Sequence, residues 1–133
     1  MERVFRSLII VSMVLSIIFW SLPSIDFLWL TEDEMLLLDQ GGLGANLPYS
    51  ELWYCASLVI WLVLSVGLYF YNKLARVGFV LMYALSFVLV FFNGVQVLTP
   101  LEGALSTLIG LQDGAILAVA YLTGLGAKFE QNS

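Results

Sequence analysis

The sequence predicts an all-α integral membrane protein with four transmembrane helices packed as an antiparallel bundle. Composition is the first observation: of 133 residues, 61% are hydrophobic and only 11% are charged, and the mean hydropathy is +0.96. In a soluble domain about a quarter of the residues are charged. So short a chain also has too little interior to bury this much apolar surface in water. The second observation is that the apolar residues fall into four runs of membrane-spanning length.

These four runs set the predicted helix boundaries. The predicted spans cover about residues 5–23, 52–71, 76–98 and 101–123. A helix of about 20 residues crosses the hydrocarbon layer and satisfies its own backbone hydrogen bonds. The chain is therefore predicted to form one four-span domain, 1–133, with an outer loop over 24–51. A cleaved signal peptide is the alternative for the first run, but the usual apolar region of such a peptide is about 7–15 residues, and no A-x-A-like site follows.

Orientation follows from the basic residues, which all fall on one side of the predicted spans. They are Arg3, Arg6, Lys73, Arg76 and Lys128. The segments on the other side, 24–51 and 99–102, contain acidic residues but no Lys or Arg. Cytoplasmic loops of membrane proteins are enriched in Lys and Arg. Both termini are therefore predicted to be cytoplasmic, and the short loops favour a bacterial inner membrane as the location.

The start of the fourth helix carries a local signal of its own. Thr99 is followed by Pro100 and, three residues on, by Glu102. A Thr that caps a helix, with Pro at the first helical position and Glu at the third, is a capping box. The sequence therefore predicts that this helix begins immediately after Thr99.

The outer loop contains a similar pattern. Thr31 precedes Glu34, residues 35–38 are apolar, and Gly41 with Gly42 would end a short helix after Asp39 and Gln40. An amphipathic helix of this kind lies on a membrane surface. We therefore expect a short helix that covers the outer end of the bundle, with a simple connecting turn as the alternative.

Charge and residue usage exclude several classes of function. The formal net charge is −5, and no stretch is rich in Lys or Arg, so nucleic acid is not an expected partner. The chain has one cysteine, Cys55, and no histidine, which removes the commonest general base and metal ligand. We therefore predict that the protein is not an enzyme and has no catalytic, cofactor-binding or metal-binding residues.

Asp113 is the chemical anomaly of the sequence, because it lies in the middle of the fourth apolar run. It is about 18 Å along the helix axis from Leu101, near the bilayer centre, at about 1.5 Å per residue. An Asp at that depth costs about 2.5–3.5 kcal/mol to insert, which makes it a candidate functional site. No basic residue reaches this depth, so we expect a neutral acid that is hydrogen-bonded to hydroxyl groups.

The remaining members of the candidate site are polar side chains of the other helices. Depth along the predicted helices brings three serines level with Asp113, and two amides could form a polar entrance on the outer half of the third helix. These residues are Ser12, Ser65, Ser86, Asn93 and Gln96.

The fourth helix also carries a stripe of small residues at a spacing of four. The stripe consists of Ser106, Gly110, Gly114 and Ala118. Small residues let a neighbouring membrane helix approach closely, and Gly110-x-x-x-Gly114 is a known pattern of this type. We expect a helix contact here, within the bundle in the first place and between copies of the chain as the alternative.

Three interpretations of Asp113 remain open. As a structural clasp between helices, it indicates a structural or accessory subunit that acts through helix–helix assembly, and this interpretation is favoured. As a protonatable site, it indicates a small proton-coupled transporter or channel. A membrane enzyme is the least favoured. The expected partners are the lipid bilayer and either a second copy or another membrane protein, and no cofactor is expected.

Overall fold

The computed structural model describes residues 1–33, 35, 51–92 and 98–131, and all regular secondary structure within these ranges is helical. This confirms the predicted all-α class for the described part of the chain. The helices are α1 (Glu2–Ser21), followed by two 3-10 turns (Leu22–Ser24 and Asp26–Leu28), α2 (Glu51–Tyr69), α3 (Lys73–Val90), α4 (Pro100–Leu122) and α5 (Gly126–Gln131).

Three of the described helical segments are long and apolar enough to cross a membrane. They are Glu2–Ser24, Lys73–Val90 and Pro100–Leu122. In α2, the apolar stretch Cys55–Tyr69 is shorter than a full span. Three predicted spans are therefore matched by helices of sufficient length, and the span predicted over residues 52–71 stays a prediction.

The bounds of α3 differ from those predicted. The helix begins at Lys73 because the Asn72 side chain caps it: Oδ1 accepts hydrogen bonds from the N–H groups of Leu74 at 2.8 Å and Ala75 at 3.2 Å. Asn is among the best residues at this position. The predicted start is later because the span follows the apolar run, which does not include the first turn with Lys73. The helix ends at Val90 rather than at residue 98.

The capping box of α4 is present as predicted. The Thr99 hydroxyl accepts a hydrogen bond from the N–H of Glu102 at 3.2 Å, and the Thr99 N–H donates to the Glu102 carboxylate at 2.7 Å. In the outer loop, the N–H of Met35 donates to the Thr31 carbonyl at 2.9 Å, which forms one helical turn where a helix was expected. The rest of that expected helix lies outside the described residues.

The core lies at one end of the helix assembly. α1 packs against both α2 and α4, α2 packs against α3, and α5 contacts α3 and α4. Lys128 of α5 pairs with Glu2 of α1, so the two ends of the described chain meet. We call this the termini end and the opposite end the loop end. The hydrophobic core is formed by Phe5, Ile9, Leu68, Tyr71, Phe79, Ile116, Ala120, Leu125 and Phe129.

α5 closes the core at the termini end. The Phe129 ring is fully buried and makes edge contacts with Tyr71 and Phe5, at ring-centre distances of 5.4 and 6.1 Å. The Arg76 guanidinium lies over the same ring at 5.0 Å and reaches the Glu130 carboxylate at 2.7 Å. The sequence does not predict this helix, because six residues with a single buried apolar side chain give no measurable periodicity.

Ion pairs surround Phe129, and their lysine and glutamate side chains are about half exposed, whereas the Arg76 side chain is mostly buried. Glu130 also pairs with Lys73 at 2.7 Å, and the hydrogen bond from Lys73 lowers the pKa of the Glu130 carboxyl below its usual value. Exposed pairs of this kind contribute little to stability because water and salt screen them. The burial of Phe129 is therefore the main force that holds α5 in its position.

The link between α2 and α3 is very tight. Tyr71 has a φ of 57°, in the left-handed region that side-chain-bearing residues seldom adopt, and its ring stacks on Phe5 at 5.8 Å. A Cβ atom added to Gly67 would lie under 3.0 Å from the Cβ of Ala75. Gly67 therefore permits the close approach of the two helices next to the link.

Candidate functional site

The buried faces of α1 and α4 meet, and the character of these faces changes along their length. On α1 the buried residues are Phe5, Ile9, Ser12 and Ser16. On α4 they are Glu102, Asp113, Ile116 and Ala120. Both sets follow the period of about 3.6 residues expected for one helix face. The shared surface is therefore apolar near the termini end and polar toward the loop end.

Asp113 lies at this change from apolar to polar. The Ser12 hydroxyl donates a hydrogen bond to Asp113 Oδ1 at 2.8 Å, and the two residues are only 1% and 3% exposed. The neighbouring Gln112 side chain donates through Nε2 to the Leu8 carbonyl oxygen at 2.8 Å. Two adjacent polar residues of α4 therefore bind two groups one turn apart on α1, and we call these two hydrogen bonds the α1–α4 clasp.

Depth alone identified Ser12 correctly as a neighbour of Asp113, but it did not identify Gln112. The signal for Gln112 was available, because a second polar residue beside Asp113 in an apolar run also needs a partner away from lipid. Sequence reasoning considered only the carboxyl group.

The other predicted members of the site are not bonded to Asp113. Ser65 is buried, but its hydroxyl has no hydrogen-bond partner in the described ranges. The Ser86 hydroxyl donates to the Tyr83 carbonyl at 2.8 Å. Asn93 and Gln96 lie outside the described residues. Of the three hydroxyls expected around Asp113, Ser12 is bonded to it and Ser86 lines the same cavity without a bond to it. Depth fixes the level of a side chain but not its direction around the helix axis.

A cavity of about 390 Å³ lies on the loop-end side of the α1–α4 clasp. Its wall includes residues from α1, α2, α3 and α4, among them Ser16, Trp61, Ser86, Ser106, Ile109 and Asp113. Sequence reasoning did not predict Ser16, Trp61 or Ser106 as neighbours of Asp113. On α3, which packs on α2 and contacts α5, residues 83–88 are exposed on every side of the helix, including the side that lines the cavity.

The small-residue stripe of α4 does not form the close contact expected within the bundle. Ser106 faces the cavity and Ala118 is exposed. A Cβ atom added at Gly110 or Gly114 would meet no described atom within 4 Å. The physical reason is that a spacing of four residues drifts about 40° per step around a helix of about 3.6 residues per turn. The stripe therefore turns from the cavity to the outside of the molecule.

Two other buried acids, which were not predicted as a site, lie at the loop end. Asp26 is 3% exposed and Glu102 is also buried. The Asp26 Oδ1 atom has no hydrogen-bond partner in the part of the chain that the structure describes. Burial and, to a smaller extent, the Glu102 charge raise the pKa of the Asp26 carboxyl above its usual value. This carboxyl therefore favours the protonated form more than an exposed Asp does.

Neither metal-binding side chains nor similarity to known proteins gives a further indication of function. Within the described ranges, no three metal-ligating side chains of His, Cys, Asp or Glu lie together, and Cys55 is exposed. Comparison with protein-family models, curated proteins and solved structures gives no match. The geometry around Asp113 is therefore the main indication of function.

Proposed function

We propose that the protein is a structural or accessory subunit of a bacterial inner membrane and acts through helix–helix assembly. The observation that carries this proposal is that α4 uses one face to bind α1, while a Cβ atom added at Gly110 or Gly114 would meet no atom of the described residues within 4 Å. Asp113 then serves inside the chain, as part of the α1–α4 clasp. The uncovered glycine face is available for a second helix.

The proposed topology has four spans in an antiparallel bundle with both termini in the cytoplasm. Three helices of spanning length support it, together with the pairing of α2 and α3 across a tight link. The basic residues provide further support, because Lys73 and Arg76 both pair with Glu130, and Lys128 pairs with Glu2, at the termini end. A cluster of cations at one end agrees with the positive-inside rule.

We expect the glycine face to pair with the same face of a second copy. Replacing both Gly110 and Gly114 with isoleucine should raise the dissociation constant of a dimer at least tenfold, because the bulky side chains keep the helix backbones apart. The fold should persist, because a Cβ atom at either position would meet no described atom within 4 Å. Single-molecule photobleaching in lipid bilayers measures the dimer fraction over a range of protein densities.

The matched control for this test is Ala115→Ile, which adds bulk to an exposed position of the same helix. It should dimerise like the wild type. A wild-type protein that remains monomeric at all densities, or a glycine variant that dimerises as well as the control, would contradict assembly through this face.

Asp113→Asn tests the role of the carboxyl in the α1–α4 clasp. The amide oxygen can still accept the Ser12 hydrogen bond, so the unfolding free energy should change by less than about 0.5 kcal/mol, whereas Asp113→Leu should cost about 1–2 kcal/mol. Unfolding by sodium dodecyl sulfate in mixed micelles measures both values. A large loss in Asp113→Asn with little loss in Asp113→Leu would rule out the clasp.

A proton-coupled transporter or channel is the second candidate function, because Asp113 lines the cavity as well as binding Ser12. In that case Asp113→Asn abolishes a proton-coupled flux in liposomes even though the protein folds normally. A variant that folds, assembles and behaves as wild type in that assay excludes transport through Asp113.

A further inference from the structure

We propose that the cavity on the loop-end side of Asp113 binds a small hydrophobic organic cation, with the ligand ammonium group paired with the Asp113 carboxylate. This ligand site is independent of helix assembly, because neither Gly110 nor Gly114 is among the described residues of the cavity wall. Three properties of the cavity support it: size, charge and the character of its wall.

The size of the cavity suits a small molecule. Its volume of about 390 Å³ falls in the range of about 300–1,000 Å³ that is usual for small-molecule sites. All four long helices contribute to the wall. A ligand in this position would contact α3 and α4, which do not pack closely on each other.

The charge of the wall selects a cation. Asp113 is the acidic residue among the described lining residues, and none of those residues is basic. The basic residues for which the structure gives ion pairs, Lys73, Arg76 and Lys128, bind Glu130 and Glu2 at the termini end. A nearby positive charge favours the ionised form of a carboxyl group that burial would otherwise keep neutral. A cationic ligand therefore supplies the partner that the described chain does not.

The rest of the wall selects a hydrophobic and compact ligand. Phe19, Trp20, Trp61 and Tyr83 line the cavity with apolar residues such as Ile109, and the Trp61 ring is held against Phe79 at a ring-centre distance of 4.4 Å. Aromatic rings attract cations and pack against apolar groups. A ligand with one ammonium group and an aromatic body fits this wall better than an anion, a sugar or an amino acid.

The test uses two probes that differ in charge but hardly in shape, 2,2-diphenylethylamine and 2,2-diphenylethanol. Each is titrated into the full chain in nanodiscs of zwitterionic lipid, with tryptophan fluorescence as the readout, because two tryptophans line the cavity. Empty nanodiscs give the partition of each probe into lipid. We expect saturable binding of the amine at least tenfold tighter than binding of the alcohol.

Two variants connect this binding to the cavity. Asp113→Asn should weaken amine binding at least tenfold and leave alcohol binding unchanged. Ser106→Phe fills the cavity without removing either hydrogen bond of the α1–α4 clasp, and it should abolish amine binding, while Ala115→Phe on the exposed side of α4 should bind as wild type. If Asp113→Asn does not fold, the Ser106→Phe comparison decides. Equal binding of amine and alcohol, or undiminished amine binding by either cavity variant, overturns the proposal.

Discussion

Phe129→Ala is expected to lower the unfolding free energy by about 3–5 kcal/mol, the usual cost of removing a buried phenylalanine ring. The ring is fully buried against Phe5 and Tyr71, and the Arg76 guanidinium lies over it. Its loss leaves a cavity at the termini end and removes the main anchor of α5. The exposed ion pairs of Glu130 cannot compensate, because exposed pairs contribute little.

Phe70→Ala is the matched control for this prediction. It removes the same ring at the same end of the molecule, from a residue that is 65% exposed. We expect a change of less than about 0.5 kcal/mol, as for surface substitutions in general. Equilibrium unfolding in detergent compares the two variants. Equal losses in both would show that Phe129 is not part of the core.

Gly67→Ala is expected to cost about 3 kcal/mol, the upper end of the range for overpacked sites. The new methyl group would lie under 3.0 Å from the Cβ of Ala75, so α2 and α3 would have to separate next to their link. That link has little freedom to adapt, because the N–H of Asn72 donates to the Gly67 carbonyl at 2.9 Å and Tyr71 already has a positive φ.

Two other glycines calibrate this result. Gly103→Ala adds a methyl group with no described atom within 4 Å, so it should be neutral or stabilise the helix by up to about 1 kcal/mol. Gly78→Ala would meet Leu64 Cδ2 at 2.7 Å, and the end of that flexible side chain can move. We therefore expect Gly103→Ala to be the most stable of the three variants, Gly78→Ala to be intermediate and Gly67→Ala to be the least stable. The same unfolding assay tests it, and a Gly67→Ala variant as stable as Gly103→Ala would contradict the close approach.

Composition and local motifs predicted the helical class and several helix ends, because these depend on short stretches of sequence. Apolar length identified three helices of spanning length, and the Thr99–Glu102 capping box identified the start of α4. The end of α3 was not predictable in this way. A hydropathy profile measures the preference of residues for lipid and does not report where a helix stops.

The candidate site was predictable in depth but not in direction. Counting residues from the helix ends brought Ser12 level with Asp113, and the two are hydrogen-bonded. Ser65 and Ser86 were assigned to the site by the same count, yet neither bonds to Asp113. Their orientation depends on how α2 and α3 rotate and tilt against the other helices. The spacing of residues along one helix does not determine this rotation or tilt.

Among the described residues, helix α3 is packed most closely near its first turns, which favours a tilt about the Tyr71 link. It packs beside Gly67 and the Tyr71 link, whereas residues 83–88 are exposed on every side. Its 18 residues span about 27 Å, so a tilt of about 10° about the link moves the far end by roughly 5 Å. A small rotation about the link would therefore change the opening above Asp113 much more than it moves Phe79, the core residue of α3, which lies only about 9 Å along the axis from the start of the helix.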